Sequence, residues 1–400
     1  MEIRPCGSVE ELAGALACIG HYFALPESRE NAERFAGWMP VERMHAAFDG
    51  GRIVGGAGAF SYRLSVPGGG DVGAAGTTVV GVLPSHRRRG MLRQLIGAQL
   101  DDAHERGEET AYLWASEGQI YGRFGYGLAS RVGGMTLPRE RVAFAEPFEP
   151  RGTVRLVSVE EAAETFTPLY ERAMRLRPGM SSRSGSWWKT RRLVDGSWGP
   201  AAPKNRALLE LDGAPAGYAL YTVKQDWEHG SSTGTMTVLE AVAPEPDAAR
   251  ELWRWLLDFD WTSKIVADLL PLDHELFWLL REPRRMAFEL NDGVWVRLVD
   301  VGAALSARSY RDGAVVFEVR DAFRPSNEGR WRVSAEGAER VEAEPEIALD
   351  VTALGSVYLG GFTFEELRRG SRIAELREGA VARADALFAT ERQPWCPEIF

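Results

Sequence analysis

The stretch from Thr77 to Gly125 constrains what this chain can fold into more than any other. It reads TTVVGVLPSHRRRGMLRQLIGAQLDDAHERGEETAYLWASEGQIYGRFG. A short run rich in β-branched residues ends at Pro84, which has no N–H with which to continue a strand. Apolar residues at helical spacing then predict a helix over Met91–Arg106, and a second strand is predicted over Thr110–Ala115. The order strand, turn, helix, strand predicts a mixed α/β fold in which the start of the helix is available to a ligand.

The turn before this helix has the features of a phosphate site. The first N–H groups of a helix have no partner within it, and the helix dipole adds a partial positive charge of about half a unit there. Gly90 has no side chain, so a diphosphate can approach the backbone closely. Arg87, Arg88 and Arg89 add positive charge. The alternative is a solvated basic turn, because Arg-x-x-Gly alone occurs by chance in many chains.

Length, charge and cysteine count narrow the class of protein. For 400 residues, two or three domains are expected, and a net charge of −10 argues against nucleic acid as the main partner. The 3 cysteines (Cys6, Cys18 and Cys396) do not form a disulfide framework and fit a reducing cytoplasm. Neither they nor the 6 scattered histidines have metal-ligand spacing, so no metal is expected. No signal peptide and no membrane-spanning run of ~18 apolar residues is predicted.

The order of predicted elements divides the chain into three units, residues 1–150, 151–290 and 291–400. The first unit also has predicted strands ahead of the helix, with a loop at Pro67–Asp71: Met44–Phe48, Arg52–Ala59, Ser61–Val66 and Thr77–Leu83. The second unit repeats this order with a helix at Val159–Leu176, a strand at Thr235–Val242 and a helix from Pro246 to Phe259. At the position of the arginine turn, this unit has Pro244–Asp247, which carries two acidic residues. Their negative charge would repel phosphate, so the second unit is expected to have a structural role and not to bind the coenzyme.

These motifs resemble those of a known family. VVGVLPSHRRRGML resembles the acetyl-coenzyme A motif Gln/Arg-x-x-Gly-x-Gly/Ala of the GCN5-related N-acetyltransferases (GNAT). Arg87 and Gly90 match the motif, whereas Leu92 departs from the small residue at its sixth position. HRRRGMLR, the later ASEGQIYGRFGYG and an aromatic last residue resemble the Eis (enhanced intracellular survival) family over essentially the whole chain. The resemblance implies an α+β protein with two tandem GNAT-type domains, the second degenerate, followed by a sterol-carrier-protein-like domain.

The resemblance also implies a function and assigns residues to it. It implies an acetyl-CoA-dependent N-acetyltransferase that acts on small primary amines, aminoglycosides among the candidates, and that forms a homohexamer. Tyr121 would be the general acid. The residues implied in coenzyme binding are Val80, Val82, Arg87, Arg88, Gly90, Leu92 and Ser116.

The chemistry of Tyr121 fits the role of an acid. Acetylation of an amine requires a neutral amine, a polarised thioester and a protonated leaving thiolate. A phenol with an ordinary pKa near ~10 is protonated at neutral pH and can donate to a thiolate with a pKa of ~8.5. Tyr126 is the alternative acid, although packing against Phe124 accounts for it more simply.

Residue chemistry alone does not identify the general base. His21, Glu27 and Glu117 are candidates that fit plain surface or capping positions equally well. The resemblance implies instead the free carboxylate of the last residue, Phe400, with its ring holding the tail in an apolar slot. A frayed terminus is the alternative. Rigid and apolar residues before Phe400 argue against fraying: Pro394, Trp395, Pro397 and Ile399.

Residues ahead of the Thr77 strand are candidates for the acceptor pocket. They are Tyr22, Glu27, Phe35 and Trp38, with Phe23, Leu25 and Met39 as further candidates. Each aromatic fits a core position at least as well. An acidic protein with an aromatic entrance suits a cationic amine, although Ile399 stands where an acidic residue would help to bind a polycation. The rival function is a lipid-binding or scaffolding protein with a vestigial coenzyme site, and an inactive acetyltransferase acting as an interaction module is a further alternative.

Overall fold

The computed structural model describes residues 2–24, 28–196 and 202–400. Its contacts group into two compact units. Unit 1 contains the residues up to Ser130 together with Val294–Thr390 and Ile399–Phe400, and unit 2 contains Arg131–Gly293 and Glu391–Glu398. Residues 131–150, predicted as the end of the first domain, therefore group with unit 2. The predicted boundaries near residues 150 and 290 stay predictions.

The strands within the described residues are, in chain order, β1 (Glu2–Pro5), β2 (Met44–Asp49), β3 (Arg52–Ser65), β4 (Asp71–Val82), β5 (Thr110–Trp114), β6 (Gly127–Leu128), β7 (Arg131–Pro138), β8 (Thr153–Leu156), β9 (Asn205–Leu211), β10 (Ala214–Lys224), β11 (Trp227–Glu228), β12 (Ser231–Ser232), β13 (Thr235–Val242), β14 (Lys264–Leu270), β15 (Glu289–Asp292), β16 (Val294–Leu298), β17 (Ala314–Arg320), β18 (Gly329–Ser334), β19 (Gly337–Arg340), β20 (Ile347–Asp350) and β21 (Ile373–Glu375). The α-helices of the same part of the chain are α1 (Val9–Gly20), α2 (Arg29–Ala36), α3 (Met91–Glu105), α4 (Gly118–Tyr121), α5 (Val159–Leu176), α6 (Gly185–Trp187), α7 (Pro246–Leu257), α8 (Leu276–Leu279), α9 (Val301–Ala307), α10 (Val351–Tyr358), α11 (Phe364–Arg369) and α12 (Ala380–Phe388).

Unit 1 contains a seven-stranded sheet in the order β1-β2-β3-β4-β5-β16-β6. Strands β1 to β4 pair antiparallel, and β4 and β5 pair in parallel. Helices α1 and α3 pack on β3 and β4. The buried face of α3 carries Met91, Leu95, Ile96 and Leu100 at helical spacing, as the sequence predicts. This packing fixes the start of α3 at the end of β4.

The predicted strand boundaries around residues 60 and 71 are wrong. Strand β3 is continuous through Phe60, and β4 begins at Asp71 rather than Thr77. The first half of β4 is rich in glycine and alanine, which strand propensity disfavours. The ring of Tyr62 lies so close to the backbone of β4 that a Cβ at Gly76 would be 2.5 Å from it, which explains the glycine at this position.

The third predicted region forms a five-stranded sheet in unit 1, in the order β19-β18-β17-β20-β21. It is joined to the first sheet through β16, which pairs antiparallel with β5 and β6. The rings of Phe317, Phe364 and Phe388 meet in its interior, with centroids 4.9 to 5.9 Å apart. These three rings fill part of the apolar interior of this region.

Unit 2 contains a second seven-stranded sheet, in the order β15-β7-β14-β13-β10-β9-β8. Its central strands β13 and β14 pair in parallel, as β4 and β5 do. Helices α5 and α7 pack on β9 and β10. The predicted helix at Val159–Leu176 and strand at Thr235–Val242 have the bounds that the sequence indicates. None of the helices in the described ranges combines the length and apolar character that a bilayer crossing requires.

Candidate active site

Strands β4 and β5 separate near the middle of the first sheet. Their pairing runs from Ala74↔Thr110 to Gly76↔Tyr112. Just beyond it, the register of β4 against β3 shifts, and Val79 adopts a left-handed φ of 46°. A β-branched residue in this conformation is strained, and a bulge bends its strand. The backbone from Thr77 to Val82 therefore borders an opening on the side of β5. Residue patterns did not reveal this bulge.

The predicted phosphate turn leads directly into the start of α3. Pro84 begins a single helical turn, after which Arg88 and Gly90 have left-handed φ values of 62° and 82°. Gly90 is the N-cap of α3 and supplies no side-chain hydrogen bond to its first turn. Arg87, Arg88 and Arg89 are exposed. The N–H groups at the start of α3 and three guanidinium groups are thus available to a phosphate.

Tyr121 lies at the end of α4, a short helix that follows β5 and the exposed bend at Ser116. Its side chain packs in one apolar cluster with Val80 and Leu92. Its ring meets the ring of Tyr126 edge-on, with the centroids 5.9 Å apart. Burial, and then the neighbouring Tyr126, raise the pKa of Tyr121. The phenol therefore remains protonated well above neutral pH and can act as a donor.

Tyr126, the alternative acid, is more deeply enclosed. It has no exposed surface, and its hydroxyl lies 3.0 Å from Oγ1 of Thr77. Burial raises its pKa to about 12, against the opposing effect of the Thr77 hydrogen bond. Phe124, its predicted neighbour, makes an edge contact with Phe323, at 5.3 Å.

The last residue, Phe400, is packed in unit 1, with 9% of its surface exposed. The centroid of its ring lies 4.7 Å from that of Tyr112 and 5.4 Å from that of Tyr62. A Cβ at Gly76 would lie 3.3 Å from its Cε2 atom. Since Gly76 and Tyr112 form the last pair that joins β4 to β5, the ring of Phe400 lies where these strands separate.

Two of the candidate acceptor residues are linked to Phe400 by a row of aromatic rings. Trp38 contacts Phe35 at 5.6 Å, and Phe35 stacks on Phe60 at 6.0 Å. Phe60 contacts Tyr62 at 5.6 Å, and Tyr62 contacts Phe400. Sequence reasoning missed Phe60 and Tyr62, although their alternate spacing places both side chains on one face of β3.

The other candidates are distributed around this region or lie elsewhere. Tyr22 is 46% exposed, and its hydroxyl donates to the carbonyl oxygen of Val82 at 2.7 Å. Met39 is buried against Gly58. Four other residues considered for the base or the acceptor pocket are exposed: His21, Phe23, Glu117 and Ile399. Leu25 and Glu27 lie outside the described residues.

Comparison with known proteins adds independent information. Residues 2–129 and 179–298 each match a family model described as an acetyltransferase (GNAT) domain, and residues 301–397 match a sterol carrier protein domain. An N-acetyltransferase of Streptomyces avermitilis is 39% identical over 384 residues, which cover 94% of this chain and 93% of that protein. N-acetyltransferase Eis of Mycobacterium tuberculosis is 34% identical over 356 residues, covering 86% of this chain and 84% of Eis. The chain belongs to the Eis-like GNAT N-acetyltransferases.

Solved structures agree with this assignment. The crystal structure of Eis1 from Mycobacterium abscessus superposes with a TM-score of 0.88 at 36% identity, and covers 100% of both chains. A GCN5-related N-acetyltransferase from Anabaena variabilis has a TM-score of 0.85 at 20% identity, which shows the fold alone. The predicted family, enzyme class and order of two GNAT domains followed by a sterol-carrier-protein-like domain are confirmed. The GNAT fold implies acetyl-CoA as co-substrate.

Proposed function

We propose that this chain transfers the acetyl group of acetyl-CoA to a primary amine, with Tyr121 as general acid and the terminal carboxylate of Phe400 as general base. The position of Phe400, with its ring against Gly76 and Tyr112 where β4 and β5 separate, carries the proposal. The neutral amine attacks the thioester carbonyl carbon, so the N–C bond forms and the C–S bond breaks. The Phe400 carboxylate accepts the proton from nitrogen, and Tyr121 donates its proton to the departing thiolate.

The start of α3 fits the coenzyme's diphosphate. Arg87, Arg88 and the first N–H groups of the helix would neutralise and hydrogen-bond the phosphate oxygens. Leu92 replaces the motif's small residue, but its side chain packs inward with the cluster around Tyr121. The larger residue therefore leaves the helix start uncovered, and the backbone of Val80 and Val82 would border the pantetheine arm.

In the described part of the second GNAT domain, acidic residues stand at the corresponding helix start. Helix α7 begins at Pro246 after the N-cap Glu245, with Asp247 in its first turn. Both acidic side chains are 62% exposed and paired: Glu245 with Arg172 at 2.9 Å, and Asp247 with Arg151 at 3.6 Å and with Arg250 at 3.5 Å. A diphosphate would have to compete with these carboxylates for the arginines, so the proposal places catalysis in the first domain.

The acceptor would enter beside the aromatic row of Trp38, Phe35, Phe60 and Tyr62. Aromatic faces attract ammonium groups, and an acidic protein concentrates cations near its surface. Aminoglycosides are the amines to test first, with polyamines beside them. A homohexamer remains a prediction from the family resemblance, and a cytoplasmic location remains a prediction from the cysteine content.

The decisive test removes the base without touching the coenzyme site. A Gly-Gly extension after Phe400 displaces the carboxylate, and should abolish kcat while leaving the Kd for acetyl-CoA unchanged. Thiol release with a panel of aminoglycosides and polyamines measures turnover. The matched control is Phe400→Leu, which keeps a terminal carboxylate at the same chain length and should retain more activity than the extended chain. An extended chain with the kcat of the parent would refute the role of Phe400.

The rival lipid-binding function finds less support. The interior of the third domain is occupied by Phe317, Phe364 and Phe388, whose rings contact each other. A lipid that co-purifies with the chain, together with no affinity for coenzyme A, would favour the rival.

A further inference from the structure

The second GNAT domain has a cleft of its own, and the C-terminal segment occupies it. Strands β13 and β14 pair from Thr235↔Lys264 to Val238↔Ala267 and then separate, in the same way as β4 and β5. Trp395 lies at this separation, where its Nε1–H donates to the carbonyl oxygen of Leu269. Its backbone N–H donates to the carbonyl oxygen of Pro178 at 2.9 Å. Trp395 is 8% exposed, so the tail is packed into unit 2 rather than lying on its surface.

Little space is left beside the tail. A cavity of about 60 Å³ remains, with Glu240, Trp253, His274, Trp395 and Pro397 in its wall. A water molecule needs ~10–15 Å³ by this measure, so this volume corresponds to a few water molecules. The strand separation that corresponds to the proposed coenzyme cleft of the first domain therefore receives this chain's own C-terminal segment.

Polar contacts hold the segment upstream of Trp395. Arg177 donates to the carbonyl oxygen of Gln393 at 2.8 Å and pairs with Asp273 at 2.6 Å. The carboxylate of Asp273 in turn accepts from the N–H of Gln393 at 3.0 Å. The backbone of the tail is thus held on both sides at Gln393.

A buried ion-pair network holds the segment downstream, at Glu398. Nε of Arg183 donates to Glu398 at 2.9 Å, and Nε1 of Trp187 donates to both carboxylate oxygens at 3.0 and 3.1 Å. Arg183 also binds both oxygens of Glu240, a residue of β13, at 2.9 and 2.6 Å. Arg192 donates to Glu240 at 2.8 Å.

The charges in this network balance well enough to keep both carboxylates ionised. Burial raises the pKa of Glu398, but Arg183, Arg192 and Arg191 outweigh it, and the pKa is lowered. The pKa of Glu240 is likewise lowered, to about 2, because Arg183 and Arg192 overcome the effect of burial. Breaking such a buried pair is costly, since one partner is left charged and uncompensated.

We propose that the second GNAT domain is a clamp for the segment Gln393–Glu398, and that Glu398 is the positioning residue for the carboxylate of Phe400. This inference rests on the proposed role of Phe400 as the base. A single residue, Ile399, separates Glu398 from Phe400. Two extended residues span at most about 7 Å, so a fixed Glu398 confines the terminal residue to a small volume.

The test is Glu398→Gln in the full chain, which keeps the shape of the side chain and removes its charge. We expect kcat to fall about tenfold and the Kd for acetyl-CoA to stay unchanged. We expect carboxypeptidase A to release Phe400 at least about tenfold faster, because the terminal residue is held less firmly. A tenfold effect corresponds to ~1.4 kcal/mol of free energy.

The matched control is Glu251→Gln. Glu251 is a buried carboxylate of unit 2 that accepts from the N–H of Arg151 and from Arg254. The Glu251→Gln variant should have the same kcat and the same rate of Phe400 release as the parent. If Glu398→Gln does not fold, Trp187→Phe removes both indole hydrogen bonds to Glu398, and should raise the release rate in the same direction.

The outcomes separate the two proposals. An extension that leaves kcat intact refutes the base, and the positioning role of Glu398 falls with it. An extension that abolishes kcat, combined with an unchanged kcat and release rate in Glu398→Gln and Trp187→Phe, retains the base and overturns the clamp. Equal losses in Glu398→Gln and Glu251→Gln also overturn it, because the effect is then general destabilisation of unit 2.

Discussion

Replacement of Gly76 by alanine tests the packing at the centre of the candidate site. The added methyl would lie 2.5 and 2.6 Å from two carbons of the Tyr62 ring and 3.3 Å from the Phe400 ring. Contacts below 3.0 Å force a neighbour to move. Tyr62 cannot move freely, because its ring already contacts Phe60, Tyr112 and Phe400 at 5.4 to 5.9 Å between centroids.

The size of the effect follows from this crowding. Overpacking a well-filled core costs about 1–3 kcal/mol, so Gly76→Ala should lower the folded-to-unfolded ratio by a factor of roughly 5 to 150. Displacement of the Phe400 ring should also lower kcat, with little change in the Kd for acetyl-CoA. Urea denaturation measures the stability, and thiol release measures kcat.

The control is Gly97→Ala, in the interior of α3. The nearest atom to its added methyl would be Cζ of Phe323 at 4.0 Å, an ordinary contact. Alanine is favoured over glycine in a helix by about 1 kcal/mol, so this variant should be at least as stable as the parent and equally active. If Gly76→Ala matches the control in both stability and kcat, Phe400 does not pack against Gly76 as described.

Three further predictions concern the acid, the phosphate turn and unit 2. Tyr121→Phe should lower kcat about a hundredfold or more without changing the Kd for acetyl-CoA, because general acid catalysis contributes ~10²–10⁴-fold; an unchanged kcat would exclude the role. Arg88→Ala should raise the Kd for coenzyme A about tenfold and reduce its dependence on salt, as measured by calorimetry, whereas equal binding at all salt concentrations would place the phosphates elsewhere. Burial lowers the pKa of His274 to about 4, against ~6.5 when unfolded, so its contribution to stability is present above pH ~6.5 and is lost as the pH falls towards 4. His274→Asn should flatten the pH dependence of urea stability across that window, and an unaltered pH profile would contradict the assignment.

Local sequence pattern predicts those parts of the fold that depend on local chemistry. Helix α3 and its turn follow from the periodicity of Leu95, Ile96 and Leu100 and from the pair Pro84 and Gly90. Each of these signals lies within a few residues of the feature that it predicts. The order of the domains followed from the resemblance of residues 77–127 to a known family rather than from composition.

Features that depend on contacts distant in the sequence could not be predicted in this way. Glycine is required at position 76 of β4 because the ring of Tyr62 packs against the backbone there. No local sequence pattern indicates this contact. The bulge at Val79 is likewise set by its pairing with β3. The ion pair between Arg183 and Glu398 joins residues 215 positions apart. Sequence reasoning indicated that the tail is ordered, but not that the second domain holds the segment Gln393–Glu398.

A crystal structure with bound coenzyme A is the most direct test of the central claim. The account predicts that the diphosphate accepts hydrogen bonds from the first N–H groups after Gly90, with the sulfur atom beside the hydroxyl of Tyr121 and the carboxylate of Phe400 within reach of an attacking amine. A diphosphate bound away from the start of α3, or a sulfur atom far from both Tyr121 and Phe400, would contradict it.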